Sequence, residues 1–232
     1  MARTTVFLDY GGTLARVPEM YEQPWAAWSY VLEAHRCVVP ADHVRRALSD
    51  TNRELISCIY DYVGRIDAYW RIYDDRVLDR LGIHEQRSEV ERSIEEVFGD
   101  PSTIRLYPEV PQVLRDLRAQ GYRLGVVSNH TDGLLRVLGF HGLADRFDTI
   151  TYSQEAGAEK PDPKIFRLAL LRAGCSAEEA VHVGDSVQAD VEGARRVGIA
   201  PVWVNRRQED GPADCPTISD LSGLLAALAR LA

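Results

Sequence analysis

The sequence predicts an α/β protein: a doubly wound parallel sheet with an all-helical insertion after its first strand. Three observations carry this. The apolar run Val6-Phe7-Leu8 ends in the glycine-rich turn Asp9-Tyr10-Gly11-Gly12-Thr13. From about residue 16 to 104 apolar residues recur at helical spacing with almost no strand pattern. After residue 105, helical stripes alternate with short apolar strands, the order that builds a parallel sheet covered on both faces.

Taken in order, the insertion begins with Pro24, suited to a first helical position, followed by Trp25, Trp28, Val31 and Leu32 on one face. Tyr73, Val77 and Leu81 make a second stripe, with Gly82 where a helix-ending glycine belongs. Val90, Ile94 and Phe98 make a third. In the last part, Pro111 opens a helix through Val113, Leu114 and Leu117 that stops at Gly121, and Tyr122 to Val127 is a strand. Ile150-Thr151-Tyr152 is the next strand. Asp162-Pro163 caps a helix through Ile165, Phe166, Leu168 and Ala169 that ends at Gly174. Ser176 and Glu179 form a capping box for a further short helix. Val181-His182-Val183 and Ile199 to Val204 are strands, and Leu221 to Leu231 is a packing helix. The expected domains are therefore an α/β core of residues 1–15 and 105–232 and a helical cap of residues 16–104.

Composition narrows the function. With 232 residues and 45% hydrophobic content, the chain has enough apolar surface for a sizeable core without staples. Its net charge of −8 argues against nucleic acid and anionic membranes, both of which reward clustered positive charge. Residues 20–100 hold 10 arginines against 16 acidic residues, so most of that negative charge lies in the insertion. Trp25, Trp28 and Trp70 and six of the ten tyrosines lie there too, and helix packing is the expected use of these aromatics. No apolar run reaches the length of a membrane span, and Met1-Ala2-Arg3-Thr4-Thr5 leads into a strand with no signal-peptide core. Cys37, Cys58, Cys175 and Cys215 lie far apart without a C-x-x-C, as expected of reduced thiols in a cytoplasmic protein.

Three strand ends deliver polar groups: Asp9, Ser128 and Asp185. Lys160 sits in the loop Glu159-Lys160-Pro161-Asp162-Pro163. Parallel strands place their ends on one edge of the sheet, so these four groups can converge. Two neighbouring carboxylates repel unless a cation or proton intervenes. Asp9, Asp185 and a backbone carbonyl form an oxygen-only partial shell, which suits Mg²⁺ holding waters and a phosphate. Lys160 offsets negative charge, and Ser128 can donate to a phosphoryl oxygen.

These motifs, in this order, resemble the haloacid dehalogenase-like (HAD) superfamily: Asp9-Tyr10-Gly11-Gly12-Thr13-Leu14, Ser128-Asn129, Lys160-Pro161-Asp162-Pro163, and Gly184-Asp185 followed by Asp190. The resemblance covers nearly the whole chain and is to the subfamily with a helical cap inserted after the first motif, on a Rossmann-like core. It implies that Asp9 is a nucleophile forming an aspartyl-phosphate. It also implies that Asp9, the Gly11 carbonyl and Asp185 hold Mg²⁺, with Asp190 in or just behind that set. Ser128 and Asn129, with Gly12, Thr13 and Lys160, are the expected phosphate contacts.

One position departs. Phosphatases of the family carry a second aspartate two residues after the nucleophile as general acid and base, and here that residue is Gly11. Glycine has no proton to transfer, although its carbonyl can still bind metal. Losing a positioned acid–base costs roughly 10² to 10⁴ in rate. His130 follows Ser128-Asn129 but is expected to lie beside the site rather than to replace that aspartate. The expectation is a slow Mg²⁺-dependent hydrolase of a small phosphorylated molecule. A phospho-ligand or Mg²⁺-binding protein with little turnover is the alternative. Relatives that dehalogenate 2-haloacids lack the first aspartate of the fourth motif, which Asp185 supplies here. A phosphonate-cleaving relative needs a cap lysine, and Lys160 and Lys164 are the chain's two lysines.

Overall fold

The computed structural model describes residues 3–16, 18, 23–62 and 65–231. Met1, Ala2 and Tyr21 lie outside the described residues. The chain divides into two compact units, residues 1–16 with 104–232, and residues 17–103.

The first unit is built on a six-stranded sheet in the order β5-β4-β1-β6-β7-β8. The strands are β1 (Thr5–Leu8), β4 (Arg123–Ser128), β5 (Thr149–Tyr152), β6 (Ala180–Gly184), β7 (Ala200–Val204) and β8 (Thr217–Ile218). Every pairing in it is parallel, with Leu8 of β1 opposite Val126 of β4 and Val183 of β6. A separate antiparallel pair joins β2 (Ala15–Arg16) to β3 (Arg105–Leu106).

Alternation in β1 shows why the sheet is covered twice. Val6 and Leu8 pack with Val113, Leu114 and Leu117 of the helix Val110–Ala119, and with Leu134, Leu138, Leu224 and Leu228. Phe7, between them, packs on the opposite side with Val127 and with Ile165, Phe166 and Ala169 of the helix Pro163–Ala173. A strand whose successive side chains are all buried must have an apolar layer on each face. Each such side chain contributes roughly 1.5–3 kcal/mol by leaving water.

Local signals set the helix ends. Asp162 accepts a hydrogen bond from the Lys164 N–H at 2.8 Å, Pro163 takes the first turn, and Gly174 closes the helix in the left-handed region. Ser176 and Glu179 behave differently from expectation. The Glu179 carboxylate accepts the Ser176 N–H at 2.8 Å, but β6 starts at Ala180, so the box closes a turn and no helix follows. The sequence patterns also gave no hint of β2, β3, β8 or the helix Gly133–Phe140. Two-residue strands carry no period, and the short Leu134, Val137, Leu138 stripe is bracketed by glycines at 133 and 139.

The described residues of the second unit are helical: Pro24–Ala34, Ala41–Leu55, a 3₁₀ stretch Ile56–Tyr62, Ile66–Arg80 and Arg87–Gly99. Trp28, Val31, Leu32, Val44, Leu48, Tyr69, Tyr73, Val77, Leu78, Val90 and Ile94 form its core. Trp25 and Phe98 are partly buried against that core, whereas Trp70 is 40% exposed. Arg87 bridges Asp75 and Asp79, and Arg80 joins Glu54 and Thr51, which ties the helices together at their surface. The four cysteines are free. Among the described residues no helix is long and apolar enough to cross a membrane.

Candidate active site

The parallel sheet delivers polar groups to one edge. Asp9 follows β1 and donates its N–H to the Val183 carbonyl at 2.8 Å, so its backbone continues the ladder one residue beyond the strand. Ser128 closes β4 and is buried, and Asp185 follows β6 with its side chain at an exposed rim. The Asp185 carbonyl accepts the indole N–H of Trp203 at 2.8 Å, which fixes the backbone under that carboxylate.

Lys160 is brought in from the loop before the Pro163–Ala173 helix. Its N–H donates to the Asn129 side-chain oxygen at 2.6 Å, and its carbonyl accepts the Asn129 side-chain N–H at 3.0 Å. Asn129, expected among the phosphate contacts, thus has both ends of its amide engaged in holding the lysine loop to β4. The Lys160 ammonium is buried and donates to Asp9 Oδ1 and to Asp190 Oδ1, each at 2.6 Å.

Asp190 is held from every side. Its Oδ1 also accepts from His182 Nε2 at 2.8 Å, and its Oδ2 accepts the Ser186 N–H at 3.0 Å. His182 is fully buried in β6, edge-on to Phe166. Burial opposes the charge on Asp190, yet Lys160 and His182 hold it well below the usual carboxylate range. Burial also opposes the Lys160 charge, and Asp190 and Asp9 hold the ammonium above the ordinary lysine range. Asp9 and Asp185 shift the other way. Burial raises Asp9 against the pull of Lys160. Burial, reinforced by Asp9 and Asp190, pushes Asp185 up to about 7.

An oxygen of each of Asp9, Asp185 and Asp190 lies within 4.8 Å of the others. Three carboxylates against one ammonium leave an excess of negative charge, which adds to burial in raising Asp9 and Asp185. That donor set fits a hard divalent cation. Asp190 has both oxygens committed to protein donors, so the free donors are on Asp9 and Asp185. The turn after β1 supplies another. The Tyr10 carbonyl accepts from Leu14 and Ala15, the Leu14 carbonyl from Tyr107, and the Ala15 carbonyl from Gly12. The Gly12 and Thr13 carbonyls accept from Arg206. The Gly11 carbonyl has no hydrogen-bond donor among the described residues.

Two glycines make room for the carboxylates. Gly12 has φ +76°, and a Cβ there would meet Asp185 Oδ2 at 2.1 Å. A Cβ on Gly184 would meet the Asp190 carboxyl carbon at 2.1 Å. Thr13, expected among the phosphate contacts, is fully buried, with no partner for its hydroxyl among the described residues, and its carbonyl accepts from Arg206. His130 is half-buried beside the site. Its ring meets Tyr10 edge-on at 6.0 Å, and its Nδ1 donates to the Thr131 carbonyl at 3.0 Å. Burial lowers its pKa against the pull of Asp9, which keeps the ring neutral. Sequence patterns missed His182 and Trp203, because both lie inside apolar strand runs. The one available signal was a histidine between two valines in a fully buried strand.

A carboxylate paired with a buried ammonium, beside a second carboxylate and a free carbonyl, can bind a phosphoryl group through a cation and attack it. A family model described as haloacid dehalogenase-like hydrolase matches residues 4–198. A phosphoserine phosphatase of Thermus thermophilus is 38% identical over 146 residues, covering 62% of this chain and 57% of that protein. The chain spans about half the length of the curated relatives it matches. Among solved structures, a HAD phosphatase from Thermococcus onnurineus superposes with TM-score 0.70 at 28% identity, covering 97% of each chain. A 2-haloacid dehalogenase from Pseudomonas syringae superposes with TM-score 0.74 at 29% identity, covering 100% of each.

Proposed function

The chain belongs to the haloacid dehalogenase-like hydrolase family, and on that premise we propose that it is a Mg²⁺-dependent phosphatase of small phosphorylated molecules, working through Asp9. The observation that carries this reading is the pairing of Asp9 with the Lys160 ammonium at 2.6 Å, beside Asp185 and the Gly11 carbonyl, which has no hydrogen-bond donor among the described residues. Asp9, Asp185 and the Gly11 carbonyl would hold the cation, which when bound supplies charge neutralisation for the phosphoryl oxygens.

The protein's own groups do the rest. Lys160 holds Oδ1 of Asp9, which leaves the other oxygen to form a bond to phosphorus as the bond to the leaving group breaks. The leaving group departs as an anion. Ser128 and the Lys160 ammonium donate to the phosphoryl oxygens. Water then adds to phosphorus and the bond to Asp9 breaks, giving inorganic phosphate and the free carboxylate. Asp190, with His182 behind it, keeps Lys160 charged and aimed.

With glycine at position 11, no carboxyl stands two residues after Asp9 to protonate a poor leaving group. The reading is therefore a slow enzyme that favours acyl and aryl phosphates, whose leaving groups need no proton. The relatives named as phosphoserine and glyceraldehyde 3-phosphate phosphatases support a small phosphorylated substrate. The test is phosphate release from a panel of acyl, aryl and alkyl phosphates with Mg²⁺, using wild type, Asp9→Asn and Gly11→Asp. Asp9→Asn should abolish release, and Gly11→Asp should raise alkyl phosphate turnover by roughly 10²-fold. Wild type as fast on alkyl phosphates as Gly11→Asp overturns the leaving-group argument. Tight phosphate-ligand binding without release marks a binding protein instead.

The similarity to a 2-haloacid dehalogenase gives a second reading, attack by Asp9 on carbon. Asp185, with an oxygen within 4.8 Å of oxygens of Asp9 and Asp190, calls for a counter-charge and so favours the phosphatase. Halide release from a 2-haloacid in the presence of a chelator decides between them.

A further inference from the structure

Arg206 lies past the end of β7, far along the chain from Asp9, yet it is wired to the turn that carries Asp9 and Gly11. Its Nε donates to the Gly12 carbonyl at 3.0 Å and its Nη2 to the Thr13 carbonyl at 2.9 Å. The same Nη2 reaches Glu109 Oε1 at 2.7 Å, and the guanidinium lies 3.4 Å above the Tyr107 ring. Its side chain is only 17% exposed. Tyr107 in turn donates its N–H to the Leu14 carbonyl at 3.0 Å, so the ring beneath the arginine belongs to a residue that itself grips the turn.

The base of this clamp is rigid. Asn205 donates its N–H to the Ile218 carbonyl, accepts the Glu209 N–H at 2.9 Å and donates its side-chain N–H to the Glu209 carbonyl at 2.8 Å. Only a planar fork with several donors serves two adjacent carbonyls and a carboxylate at once, while one flat face stacks on an aromatic ring. A lysine ammonium cannot.

We propose that Arg206, held by Glu109 and Tyr107, is a positioning residue that fixes the turn so that the Gly11 carbonyl and the seat of Asp185 stay in register with Asp9. The inference rests on the phosphatase reading given above for what the site does. The Gly11 carbonyl is on the peptide next to the clamped Gly12, and Asp185 packs directly over the Gly12 Cα. A turn that slides therefore displaces a metal donor and the second carboxylate together. Displacements of that size are costly, since misplacing reacting groups by about 1 Å can lower rates roughly 10²-fold.

The test uses the full chain as wild type, Arg206→Lys and Glu109→Gln. Three readouts are taken: Mn²⁺ affinity by electron paramagnetic resonance, kcat and KM for acetyl phosphate with Mg²⁺, and amide exchange across residues 10–15. For Arg206→Lys the expected result is a loss of roughly 10–100-fold in Mn²⁺ affinity, the range seen when groups behind metal ligands are removed. The kcat should fall with it, KM measured at saturating Mg²⁺ should change less than about twofold as expected of a group acting through the turn, and the Leu14 and Ala15 amides should exchange faster. Glu109→Gln, which leaves the guanidinium its two carbonyls, should move every readout the same way by a smaller factor. Unchanged Mn²⁺ affinity and exchange in both variants, with only the melting temperature lowered, overturns the proposal. Failure of the phosphatase reading looks different: wild type releases no phosphate, while Mn²⁺ affinity and amide exchange still decide the role of Arg206.

Discussion

Asp190 in the sheet unit and Asp74 in the helical unit are buried to similar extents, at 2% and 9% exposure, and their surroundings drive them to opposite charge states. Asp190 has Lys160, His182 and the Ser186 N–H directed at it, and it stays ionised. Asp74 lies on the helix Ile66–Arg80 near Glu91 and Glu95, one turn apart on the helix Arg87–Gly99. Burial first, then those two like charges, push Asp74 up to about 8. The difference shows what a buried carboxylate requires. Where the fold supplies a cation and hydrogen-bond donors the charge is kept for use, and where it supplies only other acids the group is forced to hold a proton.

The largest effect expected from disturbing this contrast comes from Lys160→Met. It leaves Asp9 and Asp190 without their shared cation and should destabilise the metal-free protein by about 3–5 kcal/mol, the cost of stripping one partner from a buried pair. Phosphate release should vanish with it. Denaturant melts in chelator read the first outcome, and a stability within experimental error of wild type contradicts the compensation described here.

Next is Asp74→Asn, which should stabilise. The folded value of about 8 lies above the ordinary value of 3.8. Between those two values the folded state holds more protons than the unfolded state, so wild-type stability falls as pH rises from about 4 to about 8 and is flat beyond. Asparagine removes that slope, with a gain of roughly 1–3 kcal/mol at pH 7 given about 1.4 kcal/mol per pKa unit and a generous discount for relaxation. Melts at pH 4, 6 and 8 check it, and an advantage that fails to grow with pH refutes the assignment. Smallest is His182→Phe, which keeps a ring beside Phe166 but removes one donor to Asp190. It should cost about 1 kcal/mol, because Lys160 and the Ser186 N–H remain. A loss as large as that of Lys160→Met would make His182 an equal partner in holding the charge.

The sheet unit was the more legible part of the sequence. Val6-Phe7-Leu8, Val126-Val127 and Val181-His182-Val183 are short apolar runs that each stop at a polar residue, and a parallel sheet brings such stops to one edge. That logic places Asp9, Ser128 and Asp185 together without any contact being known. It says nothing of which acid faces which base. Asp190 is expected in or just behind the metal set, but nothing in the sequence shows that it would take the Lys160 ammonium, and Asn129 reads as a phosphate contact until its amide is found on the Lys160 backbone. Arg206 sits in the polar stretch Asn205-Arg206-Arg207, where one arginine is indistinguishable from the next by pattern. In the helical unit the stripes of Val31, Val77 and Val90 are periodic, so helices are legible there, but the burial of Asp74 comes from tertiary packing that periodicity does not encode.

The placement of β1 has a consequence for how the chain is made. Its two neighbours are β4, starting at Arg123, and β6, starting at Ala180, so both of its edges stay bare until far more of the polypeptide has left the ribosome. Residues 17–103 contain their own apolar cluster and can gather as they emerge, whereas Thr5–Leu8 waits as an unpaired apolar ribbon. The segment leading into Asp9 is thus made well before both of its partners, and a nascent chain stalled before Arg123 leaves both its edges open to chaperones or to another copy of itself.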